Sequence, residues 1–335
     1  MEKTILLTGG TGFIGSHTVV ELIEKNYKVI IIDDLSNSKK DVVDKLRQIT
    51  KSNNIIFYKK NILDKKSLKT IFKKHSIESV IHFAAFKSVS DSVSNPLDYY
   101  KNNIGGLINI LSMMKKYNVF NLIFSSSATV YGNPKTLPIN ETSPTFAINP
   151  YGQTKLMGEQ IIKDLCKSEP KFNAVILRYF NPVGCHKSGL IGDNPEKPNN
   201  LFPCILNIIK SKNCLSVFGN DYDTFDGSCI RDYIHVVDLA KGHIKALSYI
   251  LYNNNVKENI SIFNLGTGKG YSVFDIINEF NSQLSKTKQI KYKIKDRRKG
   301  DAPSVYADPK LAINKLQWVP TKTLSNMVSD SLISL

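Results

Sequence analysis

Arginine is scarce in this chain. Its 335 residues include 40 lysines but five arginines, Arg47, Arg178, Arg231, Arg297 and Arg298. Base reading and two-pronged grip on phosphate favour the forked guanidinium. A net charge of +16, carried on scattered lysines, therefore gives a general pull on anions and no case for nucleic acid. Cysteine is sparse too. Cys166, Cys185, Cys204, Cys214 and Cys229 are odd in number and form no C-x-x-C pair, so neither a disulfide framework nor a zinc site is indicated, and no metal is expected. No apolar run approaches the roughly 18–20 residues of a membrane span. The start, "MEKTILLTGG", lacks the basic and apolar segments of a secretory leader. The expected place is the cytoplasm, away from membranes.

What is present is a repeating pattern. The runs "TILLTG" (from Thr4), "KVIIIDD" (from Lys28), "NIIFYK" (from Asn54), "SVIHFA" (from Ser79), "NLIFSSS" (from Asn121) and "AVILRYF" (from Ala174) are short, rich in Val and Ile, and apolar on both alternations. Strands buried on both faces of a parallel sheet read this way. Helical spacing in "SHTVVELIEKN" and "LINILSMMKKYN" fills the gaps between them. The expected fold is α/β, a Rossmann-type doubly wound parallel sheet. The pattern breaks after residue 180 into stretches rich in Pro, Gly and Asn, while "IHVVDLAKGHIKAL" and "SIFNLGTG" read as strand and helix again. This predicts a dinucleotide-binding domain over 1–180, with a returning segment near 233–265. The remainder of 181–335 forms a smaller, discontinuous α/β substrate domain.

In an open parallel sheet, ligands sit outside the carboxyl ends of the strands, and the unusual residues fall where the apolar runs end. In "TGGTGFIGSH" the glycines Gly9, Gly12 and Gly15 follow a strand and open a helix. Glycine permits the tight turn and close backbone approach, and the helix start offers free N–H groups to a pyrophosphate. An acidic partner is expected at the end of the second strand. Asp33 stands there, eighteen residues after Gly15. With no arginine nearby, its carboxylate favours NAD over NADP; Asp34 is the rival for the role. Ser125, Ser126 and Ser127 end a later strand, where they either close a turn or reach a substrate hydroxyl.

Beyond them, "NPYGQTK" places Tyr151 four residues before Lys155. On a helix the two share a face. An ammonium beside a phenol favours the phenolate, so Lys155 is expected to pull the Tyr151 pKa down and make a general base. The pattern also occurs on ordinary solvated helix faces, and it gains meaning from the nicotinamide-binding signals before it.

These motifs, with "VIHFAAFKSVSDSV", "FSSSATVYG", "LRYFNPVGCH", "PNNLFP", "VFGNDYDTFDGSCIRDYIHVVDLA" and "RRKGDAPSVYADP", resemble the extended short-chain dehydrogenase/reductases. The likeness runs from Lys3 to about Ser329 and lies with the branch that interconverts UDP-galactose and UDP-glucose at C4. The resemblance implies Tyr151 as base, Lys155 as its partner and the holder of the nicotinamide ribose, and Ser127 as a hydrogen-bonding group to the sugar. Around NAD it implies Gly9, Gly12, Phe13, Ile14, Gly15, Asp33, Asn37, Asn61, Ile62, Phe83, Ala84, Lys87, Asn102, Ser125 and Tyr179. Around the uridine diphosphate it implies Asn181, Asn200, Leu201, Leu215, Val217, Phe218, Arg231, Arg298 and Asp301. Two of the five arginines would thus meet the diphosphate. It also implies a homodimer, paired through the long helices after Ser90 and around Tyr151.

Departures from the family pattern are few. Asn61 replaces a common Asp near the adenine, where its amide oxygen can still accept a hydrogen bond, and Ala85 replaces a frequent Gly. Val305 stands where the side chain sizes the sugar pocket; a small residue there predicts added activity on UDP-N-acetylhexosamines. A nucleotide-sugar dehydratase or decarboxylase is the neighbouring reading, but Thr129 is followed by Val130 and Tyr131 and lacks the Asp-Glu pair of dehydratases. A non-catalytic NAD-binding sensor would be expected to have lost Tyr151, Lys155 or the two arginines.

Overall fold

A computed structural model describes residues 3–193, 195, 198–211, 213–252, 259–298 and 300–335. Asn194, Glu196 and Lys197 of the Pro-rich excursion, and Lys299 of "RRKGDAPS", lie outside the described residues.

The predicted apolar runs form strands β1 (Thr4–Thr8), β2 (Lys28–Asp33), β3 (Ile55–Lys59), β4 (Ser79–His82), β5 (Asn121–Ser127) and β6 (Asn173–Tyr179). After them come β7 (Asn181–Val183), β8 (Leu215–Phe218), β9 (Ile230–His235), β10 (Ile260–Leu265), β11 (Gly270–Ser272), β12 (Tyr292–Lys295) and β13 (Ser304–Val305). Seven strands build one sheet in the order β10-β6-β5-β4-β1-β2-β3, and every pairing in it is parallel. The chain winds outward in both directions from β1 and β4. The strand ends beside that switch point are where a doubly wound sheet binds its ligand.

Burial explains the composition of these strands. Ile5, Leu7, Val29 and Ile31 pack into a core on one face, and Leu6, Ile30, Val80 and Leu122 into a core on the other. Polar alternation would leave one of those faces uncovered. A third core, including Phe202, Leu215, Val217, Tyr233 and Phe280, lies under the smaller sheets. There β9 pairs with β7, β11 and β13, while β8 pairs with β12. The sequence "IRDYIH" therefore supplies a strand of a smaller sheet, and of the segment near 233–265 the strand β10 joins the large one. The intervening helix, Val236–Tyr252, packs on the first helix, Phe13–Glu24. Among the described residues no helix is long and apolar enough to cross a membrane.

Two local features place the later half of the site. Asn149 caps the helix Pro150–Ser168, its Oδ1 accepting from Gly152 N at 2.8 Å, and Pro150 occupies the first turn, where its missing N–H costs nothing. Tyr151 thus sits at the very start of that helix. Residues Tyr100–Gly105 wind as one π-helical turn before the helix Gly106–Lys116.

Candidate active site

The loop after β1 is shaped by glycine. Gly9 has φ +72° and a Cβ there would lie 2.7 Å from Ala84 N; a Cβ on Gly15 would lie 2.2 Å from Gly9 O. No side chain larger than hydrogen fits either place. Gly12 begins the helix Phe13–Glu24 with no side-chain cap and no acidic residue in the first turn, so the N–H groups around Phe13 and Ile14 are open to an anion.

Asp33, at the end of β2, accepts from Thr11 N at 3.1 Å and Leu35 N at 2.9 Å. It binds the glycine loop to the loop after β2, in which Asn37 is exposed. Asp34 instead accepts from Ser36 N at 2.9 Å and from Asn61 Nδ2 at 2.6 Å. Asn61 Oδ1 in turn accepts from Leu63 N at 2.7 Å, so one lone pair of the amide oxygen is already used. Ile62 is buried in the second core. After β4, the N–H groups of Phe83 and Ala84 both donate to Thr8 O, at 3.0 and 3.1 Å. Lys87 lies 3.6 Å from Asp193. This edge has what a dinucleotide needs: a cradle that side chains would fill, an open helix start, and a carboxylate at the end of β2.

The reacting groups gather at the end of β5. Lys155 is buried and donates from Nζ to Ser125 O at 2.7 Å. Tyr151 lies beside the Ser127 hydroxyl. Burial pushes the Tyr151 phenol up to about 12, with the hydrogen bond from Ser127 pulling the other way. Burial likewise pulls Lys155 down to about 7, opposed by the charge of Glu159. The expected lowering of the Tyr151 pKa by Lys155 is not found in the protein alone. The ammonium stands 5.9 Å from the Tyr151 ring centroid and gives its hydrogen bond to the strand.

The remaining predicted residues frame this centre. Tyr179, at the end of β6, pairs its hydroxyl with His243 Nε2, and burial raises its pKa well above the usual range. Asn102 lies in the π-helical turn and donates to Asn103 Oδ1 at 3.0 Å. In the smaller sheets, Val305 sits in register beside Arg231, and Asn181 beside Tyr233. Arg231 lies 3.7 Å from Asp301, and the Arg298 guanidinium stacks 4.0 Å from the Phe218 ring centroid. Arg297 goes elsewhere, to Asp221 at 2.7 Å and the face of Tyr222. Asn200 is exposed and its carbonyl accepts from Cys204 N; Leu201, Leu215 and Val217 turn into the third core.

Three residues escaped the sequence reading. Asn103 accepts from Phe86 N at 2.8 Å and donates to Thr154 Oγ1 at 3.0 Å, tying the loop after β4 to the Tyr151 helix. Glu159 and Arg178 form a buried ion pair at 2.7 Å next to the serine strand. The signal for Glu159 was available: it continues the Tyr151, Lys155 spacing by one more helical turn.

The family described as GDP-mannose 4,6 dehydratase matches residues 6–331. The UDP-glucose 4-epimerase of Dictyostelium discoideum is 48% identical over 333 residues, covering 99% of this chain and 95% of that protein. That of Haemophilus influenzae is 49% identical over 330 residues, covering 98% and 96%. Among solved structures, the UDP-glucose 4-epimerase from Bifidobacterium longum in complex with NAD+ and UDP superposes with a TM-score of 0.93 at 44% identity, covering 99% of this chain and 98% of that one.

Proposed function

The chain belongs to the UDP-glucose 4-epimerase family, and from that premise we propose how its residues carry the reaction. It interconverts UDP-galactose and UDP-glucose, oxidising C4 to a 4-keto sugar and reducing it again, with NAD as cofactor. The observation that supports the assignment of roles is the meeting of Tyr151, Lys155 and Ser127 at the end of β5, in the sheet that carries the glycine cradle.

Tyr151 takes the proton of the C4 hydroxyl in the first half of the cycle and returns it in the second. Ser127, already hydrogen-bonded to that phenol, bridges it to the sugar oxygen. Lys155, anchored on Ser125, presents its ammonium to the nicotinamide ribose. NAD, held by these residues, would supply the acceptor and donor of the C4 hydride, and its positive nicotinamide ring would favour the phenolate of Tyr151. Between the two halves the keto sugar must turn over. Binding energy is therefore concentrated on the nucleotide, where Arg231 and Arg298 clamp the diphosphate between Asn181, Asn200, Leu201, Phe218 and Asp301, with the backbone of Leu215 and Val217 alongside. Asp33, Asn37, Asn61, Ile62, Phe83, Ala84, Lys87, Asn102 and Tyr179 line the NAD.

Residues 1–180 with the returning segment near 233–265, its helix Val236–Tyr252 and strand β10, form the cofactor domain, and the rest holds the UDP-sugar. Val305, small and set beside Arg231, leaves room for a 2-acetamido group, so UDP-N-acetylhexosamines are further substrates. Exposed Val93, Leu97, Ile108 and Met157, on the helices after Ser90 and around Tyr151, form the homodimer face, and the protein works in the cytoplasm. The test is UDP-galactose turnover without added NAD, for the protein and for Tyr151→Phe, with the reaction stopped by heat and the UDP-glucose formed then measured by UDP-glucose dehydrogenase and NAD. Turnover that the variant loses supports the proposal; a fully active variant refutes the role of Tyr151.

A further inference from the structure

Beside the reacting groups lies a charge pair that the reaction as described does not use. Glu159 and Arg178 are 0% and 2% exposed. The guanidinium donates twice, Nε to Oε1 at 2.9 Å and the second nitrogen to Oε2 at 2.7 Å. Glu159 Oε1 also accepts from Ser126 Oγ at 2.6 Å. Arg178 reaches on to the Tyr131 hydroxyl at 2.9 Å and the Glu141 carbonyl at 3.2 Å, and Tyr131 donates to Asn264 at 2.7 Å. One ion pair thus binds β5, β6, β10 and the helix Pro150–Ser168 together.

Its place is what matters. Tyr151, Lys155 and Glu159 follow one another at four-residue steps on one helix face. Each meets one of three consecutive serines: Tyr151 meets Ser127, Lys155 meets Ser125, and Glu159 meets Ser126. Well-packed apolar residues often stabilise a core as well as a buried ion pair does, so stability alone gives no reason for charges here. We infer that Glu159, held by Arg178 and Ser126, is a positioning residue of this active site, setting the helix on the serine strand and supplying the negative charge that the buried ammonium of Lys155 needs.

The inference rests on the roles proposed for Tyr151 and Lys155. Among the described residues Glu159 is the one carboxylate acting on Lys155. The ammonium also faces the Tyr151 ring on its own helix, 5.9 Å away, and His82 from β4, which burial keeps neutral with a pKa of about 3; on β6, Arg178 is turned to Glu159 and the Tyr179 hydroxyl to His243. Removing the Glu159 charge leaves Lys155 with neutral or positive neighbours, and it gives up its proton at lower pH.

The deciding comparison is wild-type and E159Q holoenzyme, in kcat and KM for UDP-galactose across the neutral pH range, with NAD content measured after acid release. The expected result is a fall in kcat of about 10- to 100-fold, the size of effect that a slight misplacement of reacting groups produces. KM changes little, the alkaline fall of kcat moves to lower pH, and less NAD is retained. E159D, which restores the charge on a shorter arm, should return the pH profile towards that of the wild type. An E159Q enzyme that melts earlier but keeps the wild-type kcat, pH profile and NAD content overturns the inference. If E159Q does not fold, Ser126→Ala decides through the same readouts: lower kcat at unchanged KM supports it, and an unchanged kcat overturns it. Wild-type turnover tests the proposed reaction separately, because an inactive wild type refutes that reading while the NAD content of the variants still judges Glu159.

Discussion

Lys155 spends its hydrogen bond on the carbonyl of Ser125, 2.7 Å away, and not on the phenol of Tyr151 four residues before it. The pair therefore does not make a base by direct contact. In the bare protein both groups are held towards neutrality, Tyr151 with a pKa of about 12 and Lys155 with one of about 7. Tyr151→Phe should lower kcat by about 10²- to 10⁴-fold, the usual worth of a general base. Its melting temperature should stay near that of the wild type, since the ring is kept. Steady-state kinetics alongside a thermal melt check both.

Burial of Lys155 has a stability consequence of known sign. Its folded pKa lies below the unfolded value of 10.5, so between about pH 7 and pH 10 the unfolded chain binds more protons and stability rises with pH. Below pH 7 both states are charged and the folded state bears the full cost. Lys155→Met should therefore raise the melting temperature of the NAD-free protein most at about pH 6, and the gain should vanish near pH 10. A gain that grows with pH would contradict this.

Glu21 offers a parallel test away from the site. Burial, with Glu24 nearby, raises its pKa to about 7 from 4.5. A carboxylate whose pKa is raised by folding costs nothing below the unfolded value and costs most once ionised in both states. Glu21→Gln should leave stability unchanged at about pH 4 and add about 1–2 kcal/mol at pH 8, the partly accessible group being partly screened. Denaturant melts at the two pH values measure it.

The diphosphate clamp and the sugar pocket can be separated by kinetics. Arg298 is stacked on Phe218, and Arg298→Ala should raise KM for UDP-galactose about 10- to 100-fold, the worth of charge-assisted hydrogen bonds.

Val305 lies beside Arg231 and against the small cluster of Val130, Tyr131 and Phe180. Val305→Tyr should suppress turnover of UDP-N-acetylglucosamine by about 10- to 200-fold, a typical steric discrimination, while sparing UDP-galactose. Equal loss on both sugars would mean a general distortion.

Much of this was legible because it is local. Strands buried on both faces announce themselves as unbroken Val and Ile runs. The glycine loop follows from close approaches that any side chain would block. What escaped depends on contacts between distant residues. Asn103 meets Thr154 across 51 positions, and Glu159 meets Arg178 and Ser126 on two different strands. No spacing rule joins such partners. The Tyr151–Lys155 spacing was read correctly as one helix face, but the Ser125 carbonyl that captures the ammonium belongs to a strand packed beneath it. The strands β11 and β13, three and two residues long, are too short to carry a pattern.

The central claim is that the hydrogen leaving C4 is the one that returns. Purified protein is given UDP-galactose deuterated at C4 in ordinary water, and the UDP-glucose formed is analysed by mass and NMR. Full retention of deuterium at C4 is the predicted result. Loss of the label to solvent would show that C4 inverts through proton exchange, and would contradict the account.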